Sequence, residues 1–263
     1  MTEQVWLNGR LRPAQEAAIP VADRGFTLGD GLFETLRLQG GAPQDVPAHF
    51  DRLAAGAALL RLPMPFDAAG MAAMLSTTAA ANKLADGGLR LTLTRGTGPR
   101  GLLPPPSSSP TILITAFPVP ERPQAVSAII ARSIARDEAS PLSRLKTLNY
   151  LPNILARLEA RERGAEEAIL LNHAGRVAGA TIGNLLVRTG ALWLTPPLSE
   201  GALPGIRRAK LLAAGLVKEA PISLETLQNA SSLCVSNTLA LRPISVLDGT
   251  ALNISPAADL TGV

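Results

Sequence analysis

Alternation of hydrophobic and polar residues predicts several half-buried strands along the chain. The segment GLFETLRL shows the pattern clearly, because its two faces differ in character. One face holds Phe33, Thr35 and Arg37, and the other holds Leu32, Glu34, Leu36 and Leu38. Further strands are predicted in VWLNG, LRLTLTRG, TILITAFPV, VSAIIAR, EAILLN, NLLVRTG, ALWLTPP, SLCVSNTL and RPISVLDG. The Asn-Gly pair that ends VWLNG predicts a tight turn.

Hydrophobic residues at helical spacing predict three helices. The first begins near Pro47, a residue well suited to a first turn. It presents Phe50, Leu53, Ala57 and Leu60 on one side. The second runs from about Pro152 to Arg163 and is stopped by Gly164, and the third follows LPGIRR and runs to about Leu216. Strands and helices together predict a mixed α+β chain in two lobes.

The proline-rich segment FPVPERPQ is the best candidate for a domain boundary, because its prolines would stiffen a connection between lobes. We therefore predict a small N-terminal α+β domain over residues 1–118, a linker over residues 119–124 and a C-terminal domain over residues 125–263. The other proline-rich stretch, LLPPPSSSP, joins two predicted strands and indicates a surface loop.

Composition limits the classes of function. The chain has 263 residues, of which 46% are hydrophobic and 17% charged, so it can bury a large core. No apolar run is long enough to span a membrane, and the N-terminus lacks the pattern of an export signal. The single Cys234 excludes an internal disulfide framework and favours a reducing cytoplasm. With only His49 and His173 besides, no standard zinc site is expected.

The net charge of +4 is spread along the chain rather than clustered. Scattered arginines and few aromatic residues argue against nucleic-acid binding. A mildly positive field favours a small anionic substrate.

Lys146 is the strongest candidate for covalent chemistry. It is the one lysine in a run of mostly apolar and arginine-rich sequence, with Leu145 and Leu148 beside it, just ahead of a predicted helix. A lysine amine in apolar surroundings loses the preference for its charged form and becomes a nucleophile.

Seven motifs then carry a resemblance to a known family. They are DRGFTLGDGLFETLR, HFDRL, TRGTGPRG, LKTLNYLPNILA, GNLLV, LTPPLSEGALPGIRR and VSNTLALRPISVLDG. Their order and spacing resemble the fold type IV enzymes dependent on pyridoxal 5′-phosphate. These form the class IV aminotransferase family, which includes branched-chain and D-amino-acid aminotransferases and 4-amino-4-deoxychorismate lyases. The resemblance implies a smaller N-terminal lobe, a larger cofactor-binding C-terminal lobe with a strongly curved sheet or barrel, and a homodimer.

The resemblance assigns roles to individual residues. Lys146 matches the lysine that forms the Schiff base and moves protons. Arg52 matches the arginine that pairs with the cofactor phosphate, and Tyr150 matches the phenol that reaches the ring oxygen in branched-chain relatives. Further phosphate contacts are implied at Ile206, Arg207, Ser236 and Asn237. Phosphate binding at the helix that begins at LPGIRR also has a physical reason that is independent of the resemblance. The N–H groups at a helix start have no partners within the helix and attract an anion.

Gly179 is a departure from the family pattern. The family has a glutamate five residues before the Asn of GNLLV, where its carboxylate keeps the pyridine nitrogen protonated. Losing a charge-assisted hydrogen bond of about 1.5–3 kcal/mol would slow a step that needs a strong electron sink by roughly 10- to 100-fold. Three explanations for the missing glutamate are open. Water or another group takes the place of the carboxylate, or the reaction needs little electron withdrawal. In the third, the protein has lost catalytic activity.

Several residues favour the lyase branch. Formation of an aromatic product drives that reaction, so a poorer electron sink is easier to tolerate. TRGTGPRG resembles the lyase pattern, and Leu102 stands where D-amino-acid enzymes carry a histidine. Phe33 replaces their tyrosine, and SNTL resembles the lyase sequences.

The hypothesis is therefore a lyase that converts 4-amino-4-deoxychorismate to 4-aminobenzoate and pyruvate. Phe33, Arg37 and Arg100 are candidates for substrate binding, and Thr35 for a proton relay. An aminotransferase acting on D-amino or branched-chain amino acids, and a catalytically weakened paralogue, stay open as alternatives.

Overall fold

Residues 3–119 and 125–260 are described by the computed structural model. The chain divides into unit 1, Met1–Pro120 with Lys146–Asn149, and unit 2, Glu121–Leu145 with Tyr150–Val263. Most of the predicted linker, residues 120–124, lies outside the described residues. The predicted boundaries assigned residues 146–149 to the C-terminal domain, whereas the structure groups them with unit 1.

Unit 1 contains an antiparallel sheet of six strands in the order β2-β1-β6-β5-β3-β4. The strands are β1 (Gln4–Leu7), β2 (Arg10–Pro13), β3 (Gly31–Gln39), β4 (Ala42–Pro43), β5 (Gly87–Thr94) and β6 (Thr111–Phe117). The helices are α1 (Arg24–Leu28), α2 (Val46–Leu60) and α3 (Ala68–Ala81). A 3-10 helix covers Ala14–Glu16.

Helices α2 and α3 contribute to the core of unit 1. The buried sheet residues are Leu32, Leu36, Leu38, Leu89, Leu91, Leu93 and Ile114, and the buried helix residues are Leu53, Ala57, Met71, Leu75 and Ala79. The face of β3 with Leu32 and Glu34 is fully buried, while Thr35 and Arg37 on the other face are half-buried. The alternation predicted for this strand is confirmed.

Unit 2 contains a sheet of nine strands in the order β12-β11-β10-β13-β14-β7-β8-β9, with β15 paired to β14. The strands are β7 (Val126–Ile130), β8 (Glu167–Leu171), β9 (Val177–Ala180), β10 (Asn184–Thr189), β11 (Leu192–Thr195), β12 (Lys218–Glu219), β13 (Ser232–Ser236), β14 (Leu241–Leu247) and β15 (Thr250–Ala251). The helices are α4 (Leu151–Glu162), α5 (Ile206–Ala213) and α6 (Leu224–Gln228). Short 3-10 helices cover Pro141–Arg144, Leu198–Glu200 and Ser255–Leu260.

The sheet of unit 2 curls around its own core. One cluster of buried side chains draws on β7, β8, β9, β10, β13 and β14 and includes Val126, Ile169, Val177, Val187, Val235 and Ile244. Strands from both ends of the sheet contribute to this cluster, so the inner face closes on itself as in a partial barrel. Alternate residues point outward, where Ala156 of α4 and Leu211 of α5 pack against them.

Most of the predicted elements are confirmed, including the Asn-Gly turn, in which Asn8 and Gly9 both have positive φ. One helix boundary needs correction. The helix after LPGIRR ends at Ala213 rather than near Leu216, because Gly215 adopts a φ of +70° and turns the chain. The elements that lacked a prediction are helices α1, α3 and α6 and strands β2, β4, β9, β12 and β15.

Cys234 lies buried on β13, where burial raises the pKa of its thiol to about 12. Within the described ranges, no helix is long and apolar enough to cross a membrane.

Glu159 links α4 to the segment after β7. Its carboxylate accepts hydrogen bonds from the backbone N–H groups of Arg132 and Ser133, from the Ser133 hydroxyl and from Arg163 Nη1. Partial burial raises the pKa of Glu159, but these hydrogen bonds outweigh burial and lower the pKa from 4.5 to about 2.

The lowered pKa predicts how the stability of the protein depends on pH. The contribution of Glu159 is complete above pH 4.5 and is lost as the pH falls towards 2. We expect Glu159→Gln to lower the free energy of unfolding at pH 7 by roughly 1–3 kcal/mol and to lose less stability than the wild type on acidification. Urea unfolding at a series of pH values measures both effects. Parallel pH curves for the two proteins would contradict the prediction.

Candidate active site

Lys146 is held to strand β3 by main-chain hydrogen bonds. Phe33 N–H donates to Lys146 O at 2.9 Å, and Leu148 N–H donates to Gly31 O at 3.1 Å. Leu32 and Thr147 form an antiparallel bridge between them. The segment with Lys146 therefore lies as a short extended strand along the start of β3.

The side chain of Lys146 lies over an aromatic ring that it shares with a second cation. Lys146 Nζ is 4.3 Å from the centroid of the Phe33 ring, and the guanidinium carbon of Arg90 is 3.7 Å from it. Cations are attracted to the face of an aromatic ring at such distances. The guanidinium group of Arg90 next to this ring makes it a suitable place for an anionic substrate group.

Arg90 was missed in the sequence because its position depends on strand pairing. Thr35 pairs directly with Arg90, so both side chains lie on the same face of the sheet as Phe33. Thr35 and Arg37 lie on this face as predicted, both half-buried. Their roles as proton relay and substrate cation stay predictions.

Arg100 lies on an exposed loop that follows β5. The loop is held by Arg24, which donates to the carbonyl oxygens of Gly101 and Leu102 at 2.9 and 2.8 Å. Asp30 joins Arg24 to Arg95 by accepting from the Nε atoms of both guanidinium groups. Arg100 is thus carried by an anchored loop, and its contact with substrate stays a prediction.

Arg52 lies on the opposite face of β3, in α2. Its guanidinium donates to Glu34 through Nε at 2.8 Å and Nη2 at 2.5 Å. The sequence predicted Arg52 as a ligand of the phosphate and did not predict this ion pair. These two hydrogen bonds hold the planar guanidinium group of Arg52 in one orientation. A cationic group that is already oriented suits binding of an anion.

The start of α5 offers donors for an anion in unit 2. The helix begins after Gly205 without a side-chain cap, so the N–H groups of Ile206 and Arg207 lack partners within the helix. A Cβ added at Gly205 would lie 2.0 Å from Asn184 Oδ1. Only glycine therefore allows Asn184 this close to the helix start.

Ser236 and Asn237 complete the same region. Ser236 pairs directly with Asn184, and its buried hydroxyl has no hydrogen-bond partner among the described residues. Asn237 donates to Ile182 O at 3.2 Å and accepts from the backbone N–H groups of residues 239 and 240. An unpaired buried hydroxyl beside an uncapped helix start fits a phosphate group.

Gly179 lies buried in β9. The nearest carboxylate on the paired strand β8 is that of Glu167, and both of its oxygens already accept hydrogen bonds. Glu167 Oε1 accepts from the N–H groups of Ala168 and Thr181 and from the Thr181 hydroxyl, while Oε2 accepts from Arg157 at 2.9 Å. The side chain of Glu167 is 1% exposed. Glu167 is thus committed within the protein and does not supply a spare acceptor.

Tyr150 borders a cavity of about 510 Å³ that lies within unit 2. Its other lining residues include Asn153, Thr181 and Ile182. Burial lowers the pKa of Arg136, and the nearby Tyr150 phenol opposes this effect. Arg136 donates to the carbonyl oxygens of Gly201 and Ser143, so it contributes to the local structure.

Comparison with known proteins identifies the family. The model of the amino-transferase class IV family matches residues 31–247. The chain belongs to this family. It is 31% identical to a putative branched-chain-amino-acid aminotransferase of Methanocaldococcus jannaschii, over 98% of this chain and 92% of the relative. It is also 31% identical to a D-alanine aminotransferase of Bacillus licheniformis, over 98% and 93% of the two chains.

A solved structure supports the same conclusion. The 4-amino-4-deoxychorismate lyase of Pseudomonas aeruginosa is similar with a TM-score of 0.81 and 30% identity, covering 97% of this chain and 96% of that one. The predicted fold type IV architecture is confirmed. The class IV protein is an enzyme that uses pyridoxal 5′-phosphate, as a lyase or an aminotransferase.

Two glycines of the class IV protein predict unequal costs for an added methyl group. Gly205 has a φ of −72°, so the backbone allows alanine, but the methyl would collide with Asn184. At Gly179 the added Cβ meets only Gly183 O, at 3.3 Å. We expect Gly205→Ala to destabilise the protein by roughly 1–3 kcal/mol and Gly179→Ala to cost less. Urea unfolding of the two variants measures the difference, and equal effects would contradict the packing argument.

Proposed function

We propose that this class IV enzyme is a lyase that converts 4-amino-4-deoxychorismate to 4-aminobenzoate and pyruvate. When bound, pyridoxal 5′-phosphate withdraws electrons from the carbon that carries the substrate's amino group. Lys146 Nζ would hold the cofactor in the absence of substrate. With substrate bound, Lys146 would remove the proton from that carbon, and the electrons left behind would form the last double bond of the aromatic ring as the neighbouring carbon–oxygen bond to the enolpyruvyl group breaks. Lys146 would then return a proton to the released enolpyruvate, which becomes pyruvate.

The surroundings of Gly179 support the lyase over the aminotransferase. Gly179 offers no carboxylate to the cofactor ring, and the neighbouring Glu167 is committed to Arg157 and Thr181. An aminotransferase depends on a strong electron sink in both halves of its cycle. The lyase reaction is driven by formation of an aromatic ring and tolerates a weaker one.

The cationic face of unit 1 is suited to a substrate with two carboxylates. Arg37 and Arg90 lie on the face of Phe33, and Arg90 reaches the ring itself. Arg100 is a third candidate cation on its anchored loop. Thr35, paired with Arg90, is the proposed hydroxyl relay for protons moved by Lys146.

The phosphate of the cofactor is proposed to bind in unit 2 at the start of α5, which has no side-chain cap. Ile206 and Arg207 begin this helix, the buried Ser236 hydroxyl has no hydrogen-bond partner among the described residues, and Asn237 adjoins it. Arg52 is proposed to add its charge, and Tyr150 to contact the ring oxygen.

An aminotransferase is the second candidate. The relatives from Methanocaldococcus jannaschii and Bacillus licheniformis, each 31% identical, are named as aminotransferases for branched-chain amino acids and D-alanine. Such an activity would require a 2-oxo acid acceptor. A cytoplasmic homodimer is proposed for either activity, and the single buried cysteine is compatible with a reducing compartment.

The lyase hypothesis predicts release of pyruvate without an amino acceptor. We expect the protein loaded with pyridoxal 5′-phosphate to produce pyruvate and 4-aminobenzoate in equal amounts from 4-amino-4-deoxychorismate alone. Lys146→Ala should lose this activity, because no other amine is placed to move the protons. Lys218→Ala, which changes an exposed lysine of β12, serves as the matched control.

Two outcomes would contradict this assignment. Turnover of D-alanine or L-leucine with a 2-oxo acid, without pyruvate release from 4-amino-4-deoxychorismate, would establish the aminotransferase instead. Absence of a pyridoxyl adduct on Lys146 after borohydride treatment of the loaded protein would remove Lys146 from the chemistry.

Gly179→Glu tests whether the missing carboxylate limits the reaction. A Cβ at this position would lie 3.3 Å from Gly183 O, with no other contact within 4 Å, so the substitution requires a backbone shift of a few tenths of an ångström. A restored charge-assisted hydrogen bond of about 1.5–3 kcal/mol should accelerate amino-group transfer from D-alanine or L-leucine by roughly 10- to 100-fold. Pyruvate release should change less. Gly179→Gln has the same size without the charge, and equal acceleration by both variants would contradict an effect of the carboxylate.

A further inference from the structure

Glu34 lies at the centre of a buried group of three polar side chains, here called the Glu34 cluster: Glu34, His49 and Arg52. His49 Nδ1 lies 2.6 Å from Glu34 Oε2, and Arg52 donates to both carboxylate oxygens at 2.8 and 2.5 Å. The side chains of His49, Glu34 and Arg52 are 0%, 1% and 10% exposed. The cluster is therefore almost wholly shielded from water.

The charges within the cluster follow from its hydrogen bonds. Burial raises the pKa of Glu34, but hydrogen bonds from His49 and Arg52 outweigh burial and lower the pKa below its ordinary value. Glu34 is a carboxylate that needs donors. His49 Nε2 is buried without a partner among the described residues, so a proton there would leave an unpaired N–H group. Because a carboxylate can only accept hydrogen bonds, His49 carries a proton on Nδ1 and donates it to Glu34.

The cluster fixes Arg52 more firmly than a single ion pair would. His49 and Arg52 are three residues apart on α2 and so share the helix face that meets β3. The hydrogen bond from His49 limits rotation of the carboxylate, and the two-point contact with the carboxylate limits rotation of the guanidinium. An arginine whose side chain is already ordered loses less conformational entropy when it binds an anion.

We propose that Glu34 and His49 are positioning residues that hold Arg52 ready for the phosphate of the cofactor. This inference rests on the proposed role of Arg52 as a phosphate ligand. His49 acts through Glu34 and has no contact of its own with the cofactor in this scheme. Its removal should therefore weaken recognition of the phosphate group and leave the reaction of the aldehyde with Lys146 unchanged.

Two substitutions at His49 separate the donor from the shape of the side chain. His49→Phe keeps a ring of similar size and removes the donor, whereas His49→Asn keeps an N–H donor near the position of Nδ1. Each variant is titrated with pyridoxal 5′-phosphate and with pyridoxal, which lacks the phosphate. Binding is followed by cofactor absorbance and by borohydride trapping on Lys146.

We expect His49→Phe to bind pyridoxal 5′-phosphate roughly 10-fold more weakly, as for loss of one hydrogen bond to a charged group. Its affinity for pyridoxal should match that of the wild type, and His49→Asn should bind both compounds normally. Equal weakening for both compounds, or weakening for neither, would overturn the positioning role. If His49→Phe fails to fold, His49→Ala removes the same donor without a bulky ring.

Arg52→Lys distinguishes failure of this inference from failure of the assignment of Arg52. If Arg52→Lys leaves the preference for pyridoxal 5′-phosphate over pyridoxal unchanged, then Arg52 is not a phosphate ligand. If Arg52→Lys lowers that preference, His49→Phe should add little in the Arg52→Lys background, because the residue that His49 positions is already lost. Additive losses in the double variant would overturn the proposal.

Discussion

The placement of Lys146, the proposed Schiff-base lysine, depends on two main-chain hydrogen bonds between residues 146–148 and the start of β3. They join Phe33 N–H to Lys146 O and Leu148 N–H to Gly31 O. A side chain on an unpaired loop would sample many positions, whereas this amine projects from backbone that is fixed to a sheet. The same pairing places Lys146 over Phe33 and brings it to the face that carries Arg90. The position of the Lys146 side chain in unit 1 therefore depends on the pairing of its segment with β3.

Buried polar groups in this protein fall into two classes, and the difference indicates where a ligand belongs. Glu34 and Glu167 are matched by donors from several parts of the chain, so they contribute to the fold without needing a ligand. The Ser236 hydroxyl lacks a partner among the described residues, and it lies near the start of α5, which has no side-chain cap. Unmet hydrogen bonds at one location are costly to folding unless a ligand satisfies them.

Local sequence patterns predicted many of the strands and helices. Most of the site features that they did not predict depend on contacts between residues far apart in the chain. The strict alternation of β3 predicted its two faces, but helix α3 is so rich in alanine that it shows no polar stripe, and the small residues of β9 show no alternation. The ion pairs of Glu34 could not be predicted from the strand pattern because its partners lie 15 and 18 residues away. Arg90 could be assigned to the site only once the register between β3 and β5 was known. The family motifs supplied Lys146, whose role no spacing rule alone would establish.

The burial of Cys234 has a practical consequence. Its thiol is shielded within β13 and has a pKa of about 12, so at neutral pH it has almost no thiolate with which to react. Because it is the only cysteine of the chain, the native protein should react very little with reagents that modify thiols. A cysteine introduced on the exposed loop with Arg100 would be the one reactive thiol, and a spectroscopic probe attached there would report on that loop alone.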